Sequence, residues 1–263
     1  MHGVSYQDRF AGIARLYGVA ALERFRSSKV AVIGIGGVGS WAAEALARTG
    51  FGEIHLIDMD DICVSNSNRQ LHTLSSTVGQ LKVEATADRL KGINPELIVN
   101  PIMDFLTPSN MTQYLGEMDY VLDAIDSVKV KAALAAWCKR NKVPLIMTGA
   151  AGGQTDPTQI TVGDLNKTHN DPLAKKVRSI LRREYNYSRN AKRNYSIPCV
   201  YSTEQLKYPQ PDGSVCQQKS FEDGAVKLDC SGGFGAATMV TATFGFVAAA
   251  AVADRLAKKA NEA

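Results

Sequence analysis

The stretch Val30-Ala31-Val32-Ile33-Gly34-Ile35-Gly36-Gly37-Val38-Gly39-Ser40 leaves the backbone few ways to fold. An apolar, β-branched run stops at Gly34, and glycines follow in the spacing Gly34-x-Gly36-x-x-Gly39. Trp41, Ala42, Ala45 and Leu46 then share one helical face. The order is strand, tight turn, helix. The glycines let the backbone turn sharply and approach a ligand, and the helix N-terminus offers free N–H groups to phosphate. A second strand, 53–58, ends in Asp58, 24 residues beyond Gly34, where such folds hold a ribose hydroxyl. A glycine turn that only allows close helix–sheet packing is the competing reading. The strand before it, the helix after it and the acid at this distance favour nucleotide binding.

Alternation continues along the chain. Residues 6–26 carry Phe10, Ile13, Leu16, Tyr17, Ala20 and Leu22 at helical spacing. Residues 78–93 form an amphipathic pattern stopped by Asn94-Pro95, with Lys82 near its start. The chain then predicts a strand over 98–105, a short helix over 109–115, and an apolar strand over 120–126 ending in Asp126. A helix over 129–141, a strand over 144–149 and an antiparallel strand over 159–162 follow. This is the pattern of an α/β, doubly wound, Rossmann-like fold with a largely parallel sheet. A parallel strand that ends in a carboxylate puts it at the carboxyl edge, where open α/β sheets bind ligands. No repeat or linker separates two domains. The chain therefore reads as a single domain over 1–263, with a nucleotide-binding core at 30–150 and a C-terminal extension at 151–263.

Of 263 residues, 45% are hydrophobic and 21% charged, enough material for a buried core. The five cysteines, an odd number with no CxxC pair, fit reduced thiols and a cytoplasmic setting better than a disulfide framework. Residues 1–9 lack the basic-then-apolar pattern of a signal peptide. Residues 231–253 carry no charge and are long enough to span a membrane. They are mostly Ala, Gly and Thr, which bring little transfer energy, so the expectation is a helix buried in the core and no membrane partner.

Residues 58–70 set three acids and several amides and hydroxyls around Arg69, a poor core and a good polar pocket wall, though a plain surface loop fits too. A dinucleotide dehydrogenase has no use for Arg69, Lys82 and Asp126 at the phosphate end, whereas ATP chemistry does. Cations lower the barrier to attack on the α-phosphate, and a strand-end carboxylate can supply an oxygen ligand to Mg²⁺. Further on, residues 171–194 hold Lys175, Lys176, Arg178, Arg182, Arg183, Arg189, Lys192 and Arg193 against only Asp171 and Glu184, interleaved with Tyr185, Tyr187 and, just beyond, Tyr195. A solvated helix running into a loop explains this. So does RNA, because lysine and arginine displace counterions from phosphate and tyrosine stacks on bases.

Five motifs in order resemble those of the ubiquitin-activating-enzyme-like superfamily, whose ThiF-type domain adenylates carboxylates. They are Gly34-Ile35-Gly36-Gly37-Val38-Gly39-Ser40, Ile57-Asp58-Met59-Asp60, Ser65-Asn66-Ser67-Asn68-Arg69-Gln70, Val78-Gly79-Gln80-Leu81-Lys82 and Asp123-Ala124-Ile125-Asp126-Ser127. The resemblance implies Asp58 on the ribose and the turn amides on the phosphates. It also implies Asp60, Asn66, Asn68 and Arg69 around the nucleotide, Lys82 on the phosphate under attack, and Asp126 on Mg²⁺. Arg15 is the nearest candidate for an arginine that the superfamily carries on its N-terminal arm. Members that activate carrier proteins usually hold a structural zinc with two CxxC pairs, and this chain has none, so no zinc is expected.

Arg48-Thr49-Gly50-Phe51-Gly52, Gly152-Gly153-Gln154-Thr155-Asp156-Pro157 and Cys230-Ser231-Gly232-Gly233-Phe234-Gly235 are similar to one branch, which dehydrates threonylcarbamoyladenosine in tRNA. That branch implies ATP-dependent ring closure beside the anticodon, a homodimer, and sulfur-relay proteins as further partners. The alternative is activation of the C-terminal Gly-Gly of a small sulfur-carrier protein. Cys230, just before a helical run, is a candidate nucleophile. A small buried apolar residue is the plainer reading.

Overall fold

The first helix starts on a reciprocal cap. The Ser5 hydroxyl accepts the Asp8 amide, and the Asp8 carboxylate accepts the Ser5 amide, opening α1 (Tyr6–Tyr17). The computed structural model describes residues 5–210, 212–217 and 234–262. The helical pattern over 6–26 is two helices, because Gly18 leaves the helical region at φ +94° and α2 (Val19–Arg26) restarts beyond it. Next come β1 (Lys29–Ile33), α3 (Gly39–Arg48) and β2 (Glu53–Ile57), then α4 (Lys82–Ile93) and β3 (Ile98–Ile102). After them lie α5 (Met111–Leu115), β4 (Tyr120–Asp123), α6 (Val128–Asn141) and β5 (Leu145–Thr148). The extension adds β6 (Ile160–Asp164), α7 (Pro172–Glu184), β7 (Pro198–Ser202), the hairpin of β8 (Tyr208–Pro209) and β9 (Val215–Cys216), and α8 (Thr238–Asn261).

Seven strands form one sheet in the order β3-β2-β1-β4-β5-β7-β6, parallel throughout except for β6, which pairs antiparallel with β7. The chain winds outward from β1 through β2 to β3, then returns to β4 on the other side of β1. The glycine turn thus stands at the switch point between β1 and β4, where a crevice opens at the carboxyl edge. Pro101 is tolerated in β3 because that strand is an edge.

Most boundaries fall within two residues of expectation, and three inside the nucleotide-binding core differ by more. The helix predicted from 78 begins at Lys82, because Gly79 takes φ +86° and Leu81 bridges to Asp61 as extended chain. The strand predicted to 105 ends at Ile102. The strand predicted to end at Asp126 ends at Asp123, whose carboxylate turns back to accept the Ile125 amide and closes the strand.

Two apolar layers cover the sheet. One packs α3 and α4 on β1, β2 and β3, and α8 on β4 to β7, through Leu46, Leu90, Phe244, Val252 and Leu256, with Phe25 stacked on Phe51 at 5.0 Å. The other packs α5, α6 and α7 through Met111, Leu134, Val177 and Leu181. By length and composition α8 could cross a membrane, yet more than half of its apolar window is buried here, as the small-residue composition predicts. Small residues also set how closely it docks: a Cβ at Gly245 would lie 2.5 Å from the Val38 carbonyl oxygen and 2.9 Å from the Ala42 nitrogen. Gly245→Ala should therefore push α8 off α3 and cost about 1–3 kcal/mol. Urea unfolding checks this; an unchanged midpoint would mean that α8 does not seat at this depth.

Candidate active site

Three strand ends and one loop meet around the glycine turn. Gly34, at φ +83°, gives its amide to the Ile57 carbonyl (2.9 Å), and a Cβ there would sit 2.8 Å from the Ala124 oxygen. Ile35 is held from both sides. Its amide donates to Asp58 Oδ2 (2.6 Å), and its carbonyl accepts His72 Nε2 (2.8 Å). His72 is buried and burial pushes its pKa down, so a neutral ring carries this bond. The α3 helix has no side-chain cap, and the amides of Gly36, Gly37 and Val38 have no acceptor among the described residues. Uncapped amides at a helix start are an anion site in form.

Around the turn, Asp58 accepts the Asp60 amide on Oδ1 (2.9 Å) as well as Ile35 on Oδ2, and it stays partly exposed. Lys82 is buried, its Nζ 2.6 Å from the solvent-exposed carboxylate of Asp60. A cation in the first turn of α4 opposes the helix dipole, and Asp60 offsets that. Arg69 lays its side-chain carbons over Gly37 and donates to the Ser65 carbonyl (3.0 Å) and Asn68 Oδ1 (2.9 Å), while Trp41 Nε1 donates to its carbonyl (3.0 Å). Asp126, two residues beyond Ala124, is exposed with no partner among the described residues. Gly34, Gly36, Gly37, Gly39, Asp58, Asp60, Arg69, Lys82 and Asp126 are all brought to the carboxyl edge.

Other expected residues are placed differently. Asn66 is buried, and its Oδ1 accepts the Cys63 amide (3.1 Å), so only its Nδ2 is left for a ligand. Asn68 spends its Nδ2 on the Ala236 carbonyl (2.7 Å), tying the loop to the start of α8. Arg15 is not at this edge within the chain: α1 packs where Tyr6 donates to the Gly50 carbonyl and Arg9 to the Ile93 carbonyl, at the amino edge of β2 and β3. Cys230 lies outside the described residues.

The basic segment also divides. Arg182 donates to Tyr195 Oη (2.9 Å) and Asn166 Oδ1 (2.8 Å), and Arg178 to the Leu165 carbonyl and the Thr168 hydroxyl, so both brace the extension. Tyr195 is buried beneath Tyr187 and offers no face to a base. Lys175, Lys176, Arg183, Arg189, Lys192 and Arg193 are exposed.

A buried ionic cluster was not foreseen. Lys131 Nζ lies 2.9 Å from Asp123 Oδ1 and 3.3 Å from its carbonyl, both residues at most 1% exposed. Burial pushes the Asp123 carboxyl up, and the Lys131 ammonium opposes that. Asp171, also buried and pushed up, accepts the Ala150 amide (3.0 Å) and caps α7 through Ala174 (2.8 Å). The cluster ties the ends of β4 and β5 to α7, and so fixes the turn that leads to Asp126. Its signal in the sequence was a lysine inside the alanine-rich stretch Lys131-Ala132-Ala133-Leu134-Ala135-Ala136, eight residues after an acid that ends an apolar strand.

The ThiF family model matches residues 8–262. The tRNA threonylcarbamoyladenosine dehydratase of Escherichia coli is 55% identical over 257 residues, 97% of this chain and 96% of that one. The solved structure of TcdA (CsdL) superposes with a TM-score of 0.90 at 54% identity, covering 98% of this chain and 97% of that one. The crystal structure of the E. coli dehydratase in complex with ATP gives a TM-score of 0.85 at 51% identity, over 97% of this chain and 96% of that one.

The buried pair generates a double-mutant prediction. Lys131→Met leaves the Asp123 carboxylate without its counter-charge and should cost about 3–5 kcal/mol. Adding Asp123→Asn should recover at least about 1 kcal/mol of that loss, because the stranded charge is gone. Urea unfolding of the four proteins measures the coupling, and strict additivity would show that the two side chains do not act as a pair.

Proposed function

The chain belongs to the ThiF family, and from that premise we propose that it uses ATP to dehydrate and cyclise threonylcarbamoyladenosine in tRNA. The observation that carries this is the extent of the likeness to the E. coli dehydratase. It covers the nucleotide turn and the extension beyond residue 150 alike.

The residues at the carboxyl edge suit adenylation of a carboxylate. The amides of Gly36, Gly37 and Val38 receive the phosphates, and Asp58 has acceptor capacity left for the ribose hydroxyls. One oxygen of the threonyl carboxylate attacks the α-phosphorus, and pyrophosphate leaves with the electron pair of the broken P–O bond. Arg69 and the buried Lys82 neutralise charge growing on the phosphate oxygens, where low dielectric makes their effect large. A nucleophile of the same modification then attacks the activated acyl carbon, and AMP departs with the former carboxylate oxygen. The nucleoside has lost one water. Both reacting groups belong to one side chain, so proximity supplies much of the second step. Mg²⁺ fits this site: the exposed, unpartnered carboxylate of Asp126 would hold it, and when bound it supplies Lewis-acid neutralisation of the phosphates.

The exposed Lys175, Lys176, Arg183, Arg189, Lys192 and Arg193 are proposed contacts to the tRNA backbone. A homodimer is supported by the exposed apolar side chains Leu16, Val19, Met239 and Phe246. Five cysteines with no CxxC pair in the sequence support a reducing, cytoplasmic setting.

AMP release from ATP and Mg²⁺ tests the reading with three substrates: tRNA carrying threonylcarbamoyladenosine, the same tRNA without it, and a carrier protein ending in Gly-Gly. We expect release only with the modified tRNA, and a nucleoside lighter by one water. Lys82→Ala and Asp126→Ala should each slow it by about 10²–10³-fold. Release with the carrier alone would replace this reading by carrier activation.

A further inference from the structure

A groove of about 520 Å³ opens between the last turns of α6 and the chain that follows α7. Lys139, Arg140 and Arg193 line it against a single carboxylate, Glu184, together with Tyr185 and Tyr187. Lys139 is committed, its Nζ donating to the Tyr195 carbonyl (2.5 Å). Glu184 is matched by Arg183 (2.6 Å). Arg140 and Arg193 are exposed, and neither guanidinium makes a hydrogen bond or ion pair among the described residues. Tyr187, packed edge-on against Tyr195 at 4.8 Å, has a buried hydroxyl without a partner. Cations in the last turn of α6 offset its dipole, which accounts for Arg140 in part. That does not account for Arg193, which lies beyond any helix.

The groove is remote from the glycine turn. The α6 helix starts at the carboxyl edge after β4 and runs 14 residues to the amino edge before β5, a descent of about 21 Å at ~1.5 Å per residue. Tyr195 enters the same edge, just ahead of β7. A ligand in the groove therefore does not touch the nucleotide site.

We propose that this groove extends the tRNA contact of the basic segment, through its member Arg193, to Arg140 and the tyrosine-lined wall, gripping RNA away from the nucleoside being modified. Arg140 and Arg193 take backbone phosphates, and the tyrosine-lined wall takes a ribose or an unpaired base. The inference rests on the reading that tRNA is the substrate. Its own basis is the chemistry of the groove. Free guanidinium groups present a planar fork that matches phosphate, and they stand beside aromatic rings, the combination that holds RNA strands without reading sequence. A tRNA is long enough to reach both edges of the sheet.

The test measures tRNA affinity against salt for the full chain and for the double variant Arg140→Ala, Arg193→Ala. The loss of two phosphate contacts should lower the slope of log K against log salt by about 1–2 and weaken binding roughly tenfold near 0.1 M salt. AMP affinity, measured in parallel, reports whether the fold and nucleotide site survive. A variant that binds AMP and tRNA as the parent does overturns the groove. A parent that binds no tRNA overturns the functional reading instead. A photo-crosslinker at position 140 adds a location: crosslinks to nucleotides outside the anticodon loop support the extended contact, and crosslinks confined to that loop overturn it.

Discussion

The site rests on a close approach of backbone to backbone that only glycine permits. At the end of β1 the chain doubles back so tightly that a Cβ on Gly39 would overlap the Gly34 carbonyl oxygen and press on the Ala124 side chain. That contact fixes the turn, and it also fixes where β4 delivers its loop, because Ala124 follows the last strand residue directly. Asp126 is two residues further on. The uncapped amides of the turn and the loop that carries Asp126 are thus set by one steric constraint. Ile35, clamped between Asp58 and His72, brings β2 and the polar loop into the same arrangement.

Beneath this constraint lies an electrostatic one. A lysine and two aspartates sit in a layer otherwise built mainly from apolar side chains. Charges so deep cost several kcal/mol each unless paired, and well-packed apolar residues would often serve stability equally well. What the ions do here is directional. Lys131 holds both the carboxylate and the carbonyl of Asp123, and Asp171 holds the Ala150 amide while capping α7. Apolar packing cannot specify such atom-to-atom links, which join the nucleotide-side loop to the helix that presents Lys175 and Lys176.

Local patterns were the legible part. The glycine spacing, the acid at the end of β2, the alternation of strands and helices and the antiparallel β6 all follow from short-range sterics and periodicity, and each is present. Boundaries set by tertiary contacts were not legible. Nothing in the apolar pattern ends β4 at Asp123 rather than Asp126; the strand closes where the Asp123 carboxylate accepts the Ile125 amide, and Lys131, eight residues away, holds the same carboxylate. Lys131 reads as a solvated cation until its helix is laid on the sheet. Arg178 and Arg182 read as free charge for the same reason, and folding spends them on Thr168, Asn166 and Tyr195. The position of Arg15 was not legible either: α1, which carries it, packs at the opposite edge of its own chain, a fact that spacing in the sequence does not encode.

The uncharged C-terminal helix shows how residue size decides between membrane and core. Length and hydropathy suit either. A lipid-facing helix gains transfer energy from large side chains, whereas α8 places Gly245 against the Val38 carbonyl and Ala248, Ala249 and Ala253 against neighbouring elements. Small residues forgo that transfer energy and gain proximity, and proximity has a use here. The turn before α8 accepts the Asn68 amide through the Ala236 carbonyl, and Thr238 returns a hydroxyl to the Asn68 carbonyl. The helix that fills the core therefore also pins the loop carrying Arg69. Its depth of docking is transmitted to the phosphate end of the site, so core packing and the geometry of ATP binding are two consequences of the same glycine and alanine positions.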